Sequence, residues 1–258
     1  MEKIIIEKIM EIERREGVRV LHAVESGSRA WGFASPDSDY DVRFIYARRV
    51  EDYLRLGRVR DVIEWQLDET LDINGWDLQK ALRLLCQSNP TLFEWLSSPI
   101  VYLTTPEWGR AAEVFPNYFL SKPGMHHYLS MAGGNYREYL RGESVPVKKY
   151  LYVLRPLLAC KWIMSFGTPP PMRFAELVES QLEPELRPAV ERLLEIKMGS
   201  PEAGRLPQIT ELNDYIERTL PELEARAAQT RGERKPDCGE LDAVFVGILK
   251  GLEWPDGS

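Results

Sequence analysis

Asp39 and Asp41 lie two residues apart in the stretch DYDVRFIYA, whose remaining members are mostly apolar or aromatic. On an extended strand, residues i and i+2 share a face, so both carboxylates are expected on one side of a sheet. Carboxylates so grouped suit hard divalent cations, which prefer oxygen ligands. Two such ions flanking a transferred phosphoryl group stabilise both the attacking and the leaving oxygen. A Gly27-Ser28 step precedes the pair, with Asp39 eleven residues beyond Ser28. Glycine lets backbone approach a phosphate closely, and the N–H groups of a helix start donate to anionic oxygens. The chemistry that these residue types support is transfer of a phosphorus-centred group from a polyphosphate.

Such a site is usually completed by a third carboxylate from a neighbouring strand. Asp72, in LDINGW, is the expected one, sharing a strand face with Asn74 and Trp76. Its expected role is to hold the metal and to help deprotonate the attacking hydroxyl. Glu64 and Asp77 are alternatives, although Asp77 is also well placed to cap the helix that follows. Arg29 either contacts phosphate or solvates its helical turn. Arg43, on the face of the two acids, either contacts nucleotide or pairs with them.

The elements that must position these residues are legible. MEKIIIEKIMEIERRE, apolar every third or fourth residue, predicts an amphipathic helix over 2–16 stopped by Gly17. VRVLHAVE (18–25) and DYDVRFIYA (39–47) predict strands, with a short helical turn over 29–33 between them. A short helix follows in VEDYLRLG. VIEWQL and LDINGW are expected as two strands around an Asp68–Glu69 turn. Asp77 then caps a helix in LQKALRLLCQ, and a helical turn through LFEWL leads to a strand in IVYLT (100–104). Beyond Pro106 strand signals vanish. Helical periodicity covers 117–140, 147–166, 183–198, 209–229 and 238–252, with Gly/Pro-rich bends at 167–171 and 199–207. The expected fold class is α+β: a mixed sheet with helices over residues 1–105, then an all-α domain over 106–258.

With 44% hydrophobic and 28% charged residues in 258, the composition excludes intrinsic disorder, collagen-like repetition and a disulfide-dense miniature scaffold. No apolar run reaches the roughly 18 residues of a membrane span, and the N-terminal helix lacks signal-peptide organisation. Three scattered cysteines, Cys86, Cys160 and Cys238, form no zinc-type cluster and predict a reduced, cytoplasmic protein. The net charge of −7 argues against a general nucleic-acid coat but not against a local basic groove. Residues 141–161 carry five basic side chains against Glu143, whereas 176–226 carry twelve acidic against six basic. His126 and His127 are adjacent on a helix and therefore diverge, which disfavours a shared metal.

The Gly-Ser and Asp-x-Asp pattern, in its strand–turn–strand context, resembles the DNA polymerase β-type nucleotidyltransferase superfamily. More narrowly, GSRAWGFASPDSDYDVRFIY, DINGWDLQKALRLL and NPTLFEWLSSPIVY resemble the bacterial and phage nucleotidyltransferases associated with RNA repair. KKYLYVLRPLLACKWI fits that family's helical half. The resemblance covers most of residues 20–166. It implies Gly27 and Ser28 as triphosphate contacts and Asp39, Asp41 and Asp72 as metal-binding catalytic residues holding two Mg²⁺ or Mn²⁺ ions. It also implies Lys148, Lys149 and Tyr150 as nucleotide contacts from the helical domain. The implied reaction is transfer of a nucleoside monophosphate from an NTP, with ATP the expected one, to an acceptor hydroxyl. An RNA end is the favoured acceptor. Adenylylation of a protein or small-molecule hydroxyl, and nucleotide sensing without turnover, are the alternatives.

Overall fold

A computed structural model describes residues 1–57, 59–66, 70–199 and 204–254. In chain order the elements begin with α1 (Glu2–Glu16), β1 (Arg19–Glu25), α2 (Gly27–Trp31), β2 (Tyr40–Ala47) and α3 (Val50–Tyr53). Next come β3 (Val62–Gln66), β4 (Leu71–Asp77), α4 (Leu78–Cys86), α5 (Pro90–Leu96), β5 (Val101–Thr104) and α6 (Pro106–Ala112). Then follow α7 (Ser121–Tyr139), β6 (Ser144–Pro146), α8 (Val147–Phe166), α9 (Phe174–Gln181) and α10 (Arg187–Gly199). The last are β7 (Arg205–Pro207), α11 (Thr210–Gln229) and α12 (Gly239–Gly251). The class is α+β, a mixed sheet with helices and a helical C-terminal region. The expected Asp68–Glu69 turn lies outside the described residues.

The chain forms two compact units that exchange segments. One comprises 1–27, 39–118 and 235–258, the other 28–38 and 119–234. Sequence periodicity suggests a single division near residue 105, because it sees where strands give way to helices and not which helix returns.

The first unit is built on a five-stranded sheet of order β3-β4-β2-β1-β5. β2 and β4 run parallel, and every other neighbouring pair is antiparallel. α1 buries Ile5, Ile9 and Ile12, spaced by three and four residues, in one cluster with Val20, Val42, Phe44, Tyr46 and Ile73. Each isoleucine so buried contributes roughly 1.5–3 kcal/mol. The helix stops at Gly17, whose φ of 62° is left-handed. Asp77 ends β4 and caps α4, accepting the Gln79 N–H at 2.8 Å.

α12 belongs to this sheet unit, which no periodicity foretold. Its Phe245 ring meets Tyr53 edge-on at 5.0 Å, and Cys238 at its start is disulfide-bonded to Cys86 at the end of α4. The expectation of a fully reduced chain is corrected at this pair. A separation of 152 residues hid the pairing from any local spacing rule.

In the second unit α7, α8 and α11 pack together, and most of α8 is buried around its whole circumference. A two-stranded ribbon of β6 and β7 corrects the expectation that strands end near residue 106. Three-residue strands are too short for alternation to register. The segment 28–38 is held here too. Trp31 lies beneath the Arg155 guanidinium at 4.5 Å and meets Tyr152 edge-on, while Phe33 meets Phe174 edge-on.

Candidate active site

β1 ends at Glu25, a carboxylate with no solvent exposure. One of its oxygens accepts the backbone N–H of Asp41 at 2.9 Å, and the other accepts the Tyr102 hydroxyl. Ser26 N–H donates to the Asp41 carbonyl at 2.8 Å. The end of β1 therefore fixes the backbone on both sides of Asp41. Sequence reasoning missed Glu25. The available signal was a charge closing an otherwise apolar strand.

Gly27 follows with φ +59°, and a Cβ built on it would fall 1.9 Å from Oδ2 of Asp41. No other residue fits there without moving that carboxylate. Gly27 is thus required by close approach to an aspartate, besides any use toward a phosphate.

Asp41 and Asp72 are direct partners in the parallel β2–β4 register. Their side chains share a sheet face, as period-two alternation requires. Arg43, two residues along, joins them: its Nη2 donates to Asp41 Oδ1 at 2.9 Å and to Asp72 Oδ2 at 2.8 Å. Its Nη1 donates to the Asp72 carbonyl at 3.3 Å. Of the two readings open for Arg43, the pairing one describes this arrangement.

Asp39 lies just before β2, exposed, and its charge is felt at Asp41. Burial pushes the Asp41 carboxyl up. Arg43 opposes that shift, while Asp72 and Asp39 reinforce it by repulsion. The alternatives to Asp72 are otherwise engaged. Glu64, exposed on β3, pairs with Arg60, and Asp77 caps α4 and accepts the Tyr53 hydroxyl at 2.9 Å.

Among the described residues no three carboxylate, imidazole or thiol side chains converge closely enough to hold a metal as they stand. The donor chemistry nonetheless fits a divalent cation. Asp41 and Asp72 present hard oxygens in register, and their side chains are 32% and 47% exposed. The guanidinium of Arg43 holds the carboxylates in the arrangement seen.

The remaining expected residues lie in the second unit. Ser28 is buried, and its carbonyl accepts Gly32 and Phe33 N–H groups to close the short turn. Arg29 donates to the Ser38 carbonyl, which ties off the loop. Lys197, also missed, is buried and donates to Ser35 Oγ at 2.7 Å within the same loop. No local pattern marks a lysine in α10 for that role.

Lys149 Nζ donates to Asn135 at 3.3 Å and sits 3.7 Å from the centre of the Tyr139 ring. Burial, with Lys148 adding repulsion, lowers its pKa. Lys148 opens α8 beside it. Tyr150 has no solvent exposure; its hydroxyl donates to Asn213 and accepts Ile209 N–H at 2.8 Å. That leaves no hydroxyl for a phosphate, so Tyr150 is corrected to a core residue joining α8 to the start of α11.

The chain is 44% identical to the uncharacterized protein YcgL of Bacillus subtilis (strain 168) over 261 residues, covering 100% of this chain and 99% of that one. A solved nucleotidyltransferase-like protein from Exiguobacterium sibiricum 255-15 is 14% identical. It covers 87% of this chain and 75% of that one at a TM-score of 0.34, a likeness too weak to carry an argument. The model of the RNA repair pathway DNA polymerase beta family, RlaP, matches residues 1–247, and the chain belongs to that family of polymerase β-type nucleotidyltransferases.

Proposed function

We propose that the protein transfers a nucleoside monophosphate from an NTP, ATP foremost, to a hydroxyl at an RNA end and releases pyrophosphate. The observation that carries this reading is the pairing of Asp41 with Asp72 across parallel strands, with Gly27 against one carboxylate. The RNA acceptor rests on the family's description.

Asp39, Asp41 and Asp72 are the residues that hold Mg²⁺ or Mn²⁺ in this reading, and the bound ions supply charge neutralisation at the reacting phosphate. The acceptor oxygen attacks the α-phosphorus in line. The bond from that phosphorus to the α–β bridging oxygen breaks, and pyrophosphate leaves with the electron pair. Asp72, half exposed and so able to meet an incoming hydroxyl, takes its proton. Gly27 and Ser28 offer backbone to the triphosphate. Arg43 supplies positive charge between Asp41 and Asp72, charge that bound divalent cations would supply in its place.

The test is pyrophosphate release from each of the four NTPs with Mg²⁺, with and without a short 3′-hydroxyl RNA. RNA-stimulated release that disappears in Asp41→Asn and Asp72→Asn is expected. Release without RNA dependence, or release surviving both substitutions, refutes the assignment.

A further inference from the structure

A polar cavity of about 410 Å³ opens in the first unit, at the end of the sheet away from Asp41 and Asp72. Arg48 continues β2, and Asp77 closes β4. Asp41 and Asp72 stand near the starts of the same two strands. Asp77 lies five residues beyond Asp72 along β4, about 16 Å at strand rise. The cavity is therefore distinct from the candidate active site.

Its walls carry five cations, Arg48, Arg55, Arg60, Lys80 and Arg83, on a chain of net charge −7. Three carboxylates line it as well, and each is engaged. Asp52 pairs with Arg55 at 2.9 Å, Asp61 with Lys80 at 3.2 Å, and Asp77 accepts the Tyr53 hydroxyl and Gln79 N–H. Tyr53 in turn accepts the Arg48 backbone N–H, so the floor of the cavity is a fixed hydrogen-bonded chain.

Arg55 and Arg60 are paired with Asp52 and Glu64, whereas the Arg48 and Arg83 guanidinium groups are held by no carboxylate among the described residues. Arg48 uses Nη2 on the Arg60 carbonyl, while its Nε is buried with no hydrogen-bond partner among the described residues. Arg83, exposed on α4, makes no ion pair among the described residues. A buried N–H of this kind is costly unless an acceptor arrives, and a charged oxygen is the strongest acceptor for a guanidinium. The volume falls within the range of ligand-binding clefts, roughly 300–1,000 Å³. Cations contributed by the end of β2, the α3–β3 connection and α4 suit a run of phosphates better than a single small ion.

We propose that this cavity binds backbone phosphates of the RNA acceptor strand, away from its reacting end. The proposal rests on the RNA-end reading given above. At about 3.4 Å per stacked nucleotide, 16 Å corresponds to roughly five nucleotides.

The experiment measures fluorescence anisotropy of a labelled single-stranded RNA on the full chain across a salt series. Wild type is compared with Arg60→Gln/Arg83→Gln and with Arg192→Gln/Arg226→Gln, which makes the same charge change on exposed side chains elsewhere. Binding of a non-hydrolysable NTP analogue is read in parallel. The expected result is RNA binding weakened about ten-fold at low salt in the cavity variant, with a salt slope shallower by about 1.4. NTP binding is unchanged and the control variant matches wild type. Equal RNA binding by wild type and the cavity variant, or equal weakening in both variants, overturns the cavity while leaving the RNA-end reading intact. A wild type that binds NTP but no RNA overturns both.

Discussion

Replacing Gly27 by alanine separates two costs that the structure assigns to one position. The first is conformational. A φ of +59° is left-handed, and a non-glycine residue held there costs roughly 1–2 kcal/mol. Gly17 isolates this term, because it has φ +62° with nothing within 4 Å of its would-be Cβ. The second cost belongs to Gly27 alone: its Cβ would lie 1.9 Å from Asp41 Oδ2 and 2.8 Å from Cγ. The carboxylate must rotate away, which breaks its 2.9 Å bond to Arg43. Both side chains are partly solvated, at 18% and 32%, so this adds only about 1 kcal/mol. Gly27→Ala is therefore expected to be about 1 kcal/mol less stable than Gly17→Ala, some 2–4 °C in Tm for a chain of this size. Activity diverges far more. An ångström-scale displacement of a catalytic group costs on the order of a hundred-fold in rate, so pyrophosphate release collapses in Gly27→Ala and stays near wild type in Gly17→Ala. Denaturant titration and the release assay on both variants decide the matter. Equal activity in the two refutes the claim that Gly27 exists to seat the Asp41 carboxylate.

Burial lowers the His22 pKa to about 4, well below the ordinary value of 6.5, so the unfolded chain takes up a proton that the folded one refuses. Stability from this group is complete above pH 6.5 and is lost as pH falls toward 4; a stability profile of His22→Gln as steep as wild type over that window counts against it. Tyr150→Phe leaves Ile209 N–H and Asn213 without their buried partner and is expected to cost about 1–3 kcal/mol with NTP affinity unchanged. Weaker NTP binding at unaltered stability would restore a nucleotide role to Tyr150. Thiol titration of the unfolded, unreduced chain should find one reactive group, Cys160, and three after reduction; three without reductant disproves the Cys86–Cys238 bond.

Much of the candidate site was legible because it is local. Alternation placed Asp72, Asn74 and Trp76 on one face of β4, and strand spacing placed Asp41 with Arg43 on β2. Helix punctuation was equally readable, as at Gly17 and over 147–166. What sequence could not supply was pairing across the chain. The parallel register of Asp41 with Asp72, the buried Glu25 beneath Asp41 and the Lys197 contact to Ser35 all join residues from separate segments. α6 and α9 were missed for another reason: each is only seven or eight residues long, too short for periodicity to emerge from proline-rich surroundings.

The chain crosses between its two compact units after residues 27, 38, 118 and 234. A ribosome therefore completes the carboxylate-bearing strands early and the last helix of the same unit only after the whole of 119–234 has been made. Bringing 235–258 back to the sheet closes a long loop. The entropic cost of that closure grows only slowly with length, but the encounter must wait for synthesis. Until then the Cys86 thiol and the Tyr53 ring lack their partners at α12. A truncation at residue 234 spares every proposed catalytic side chain and still leaves their unit unfinished, so premature termination late in the message harms the site from a distance.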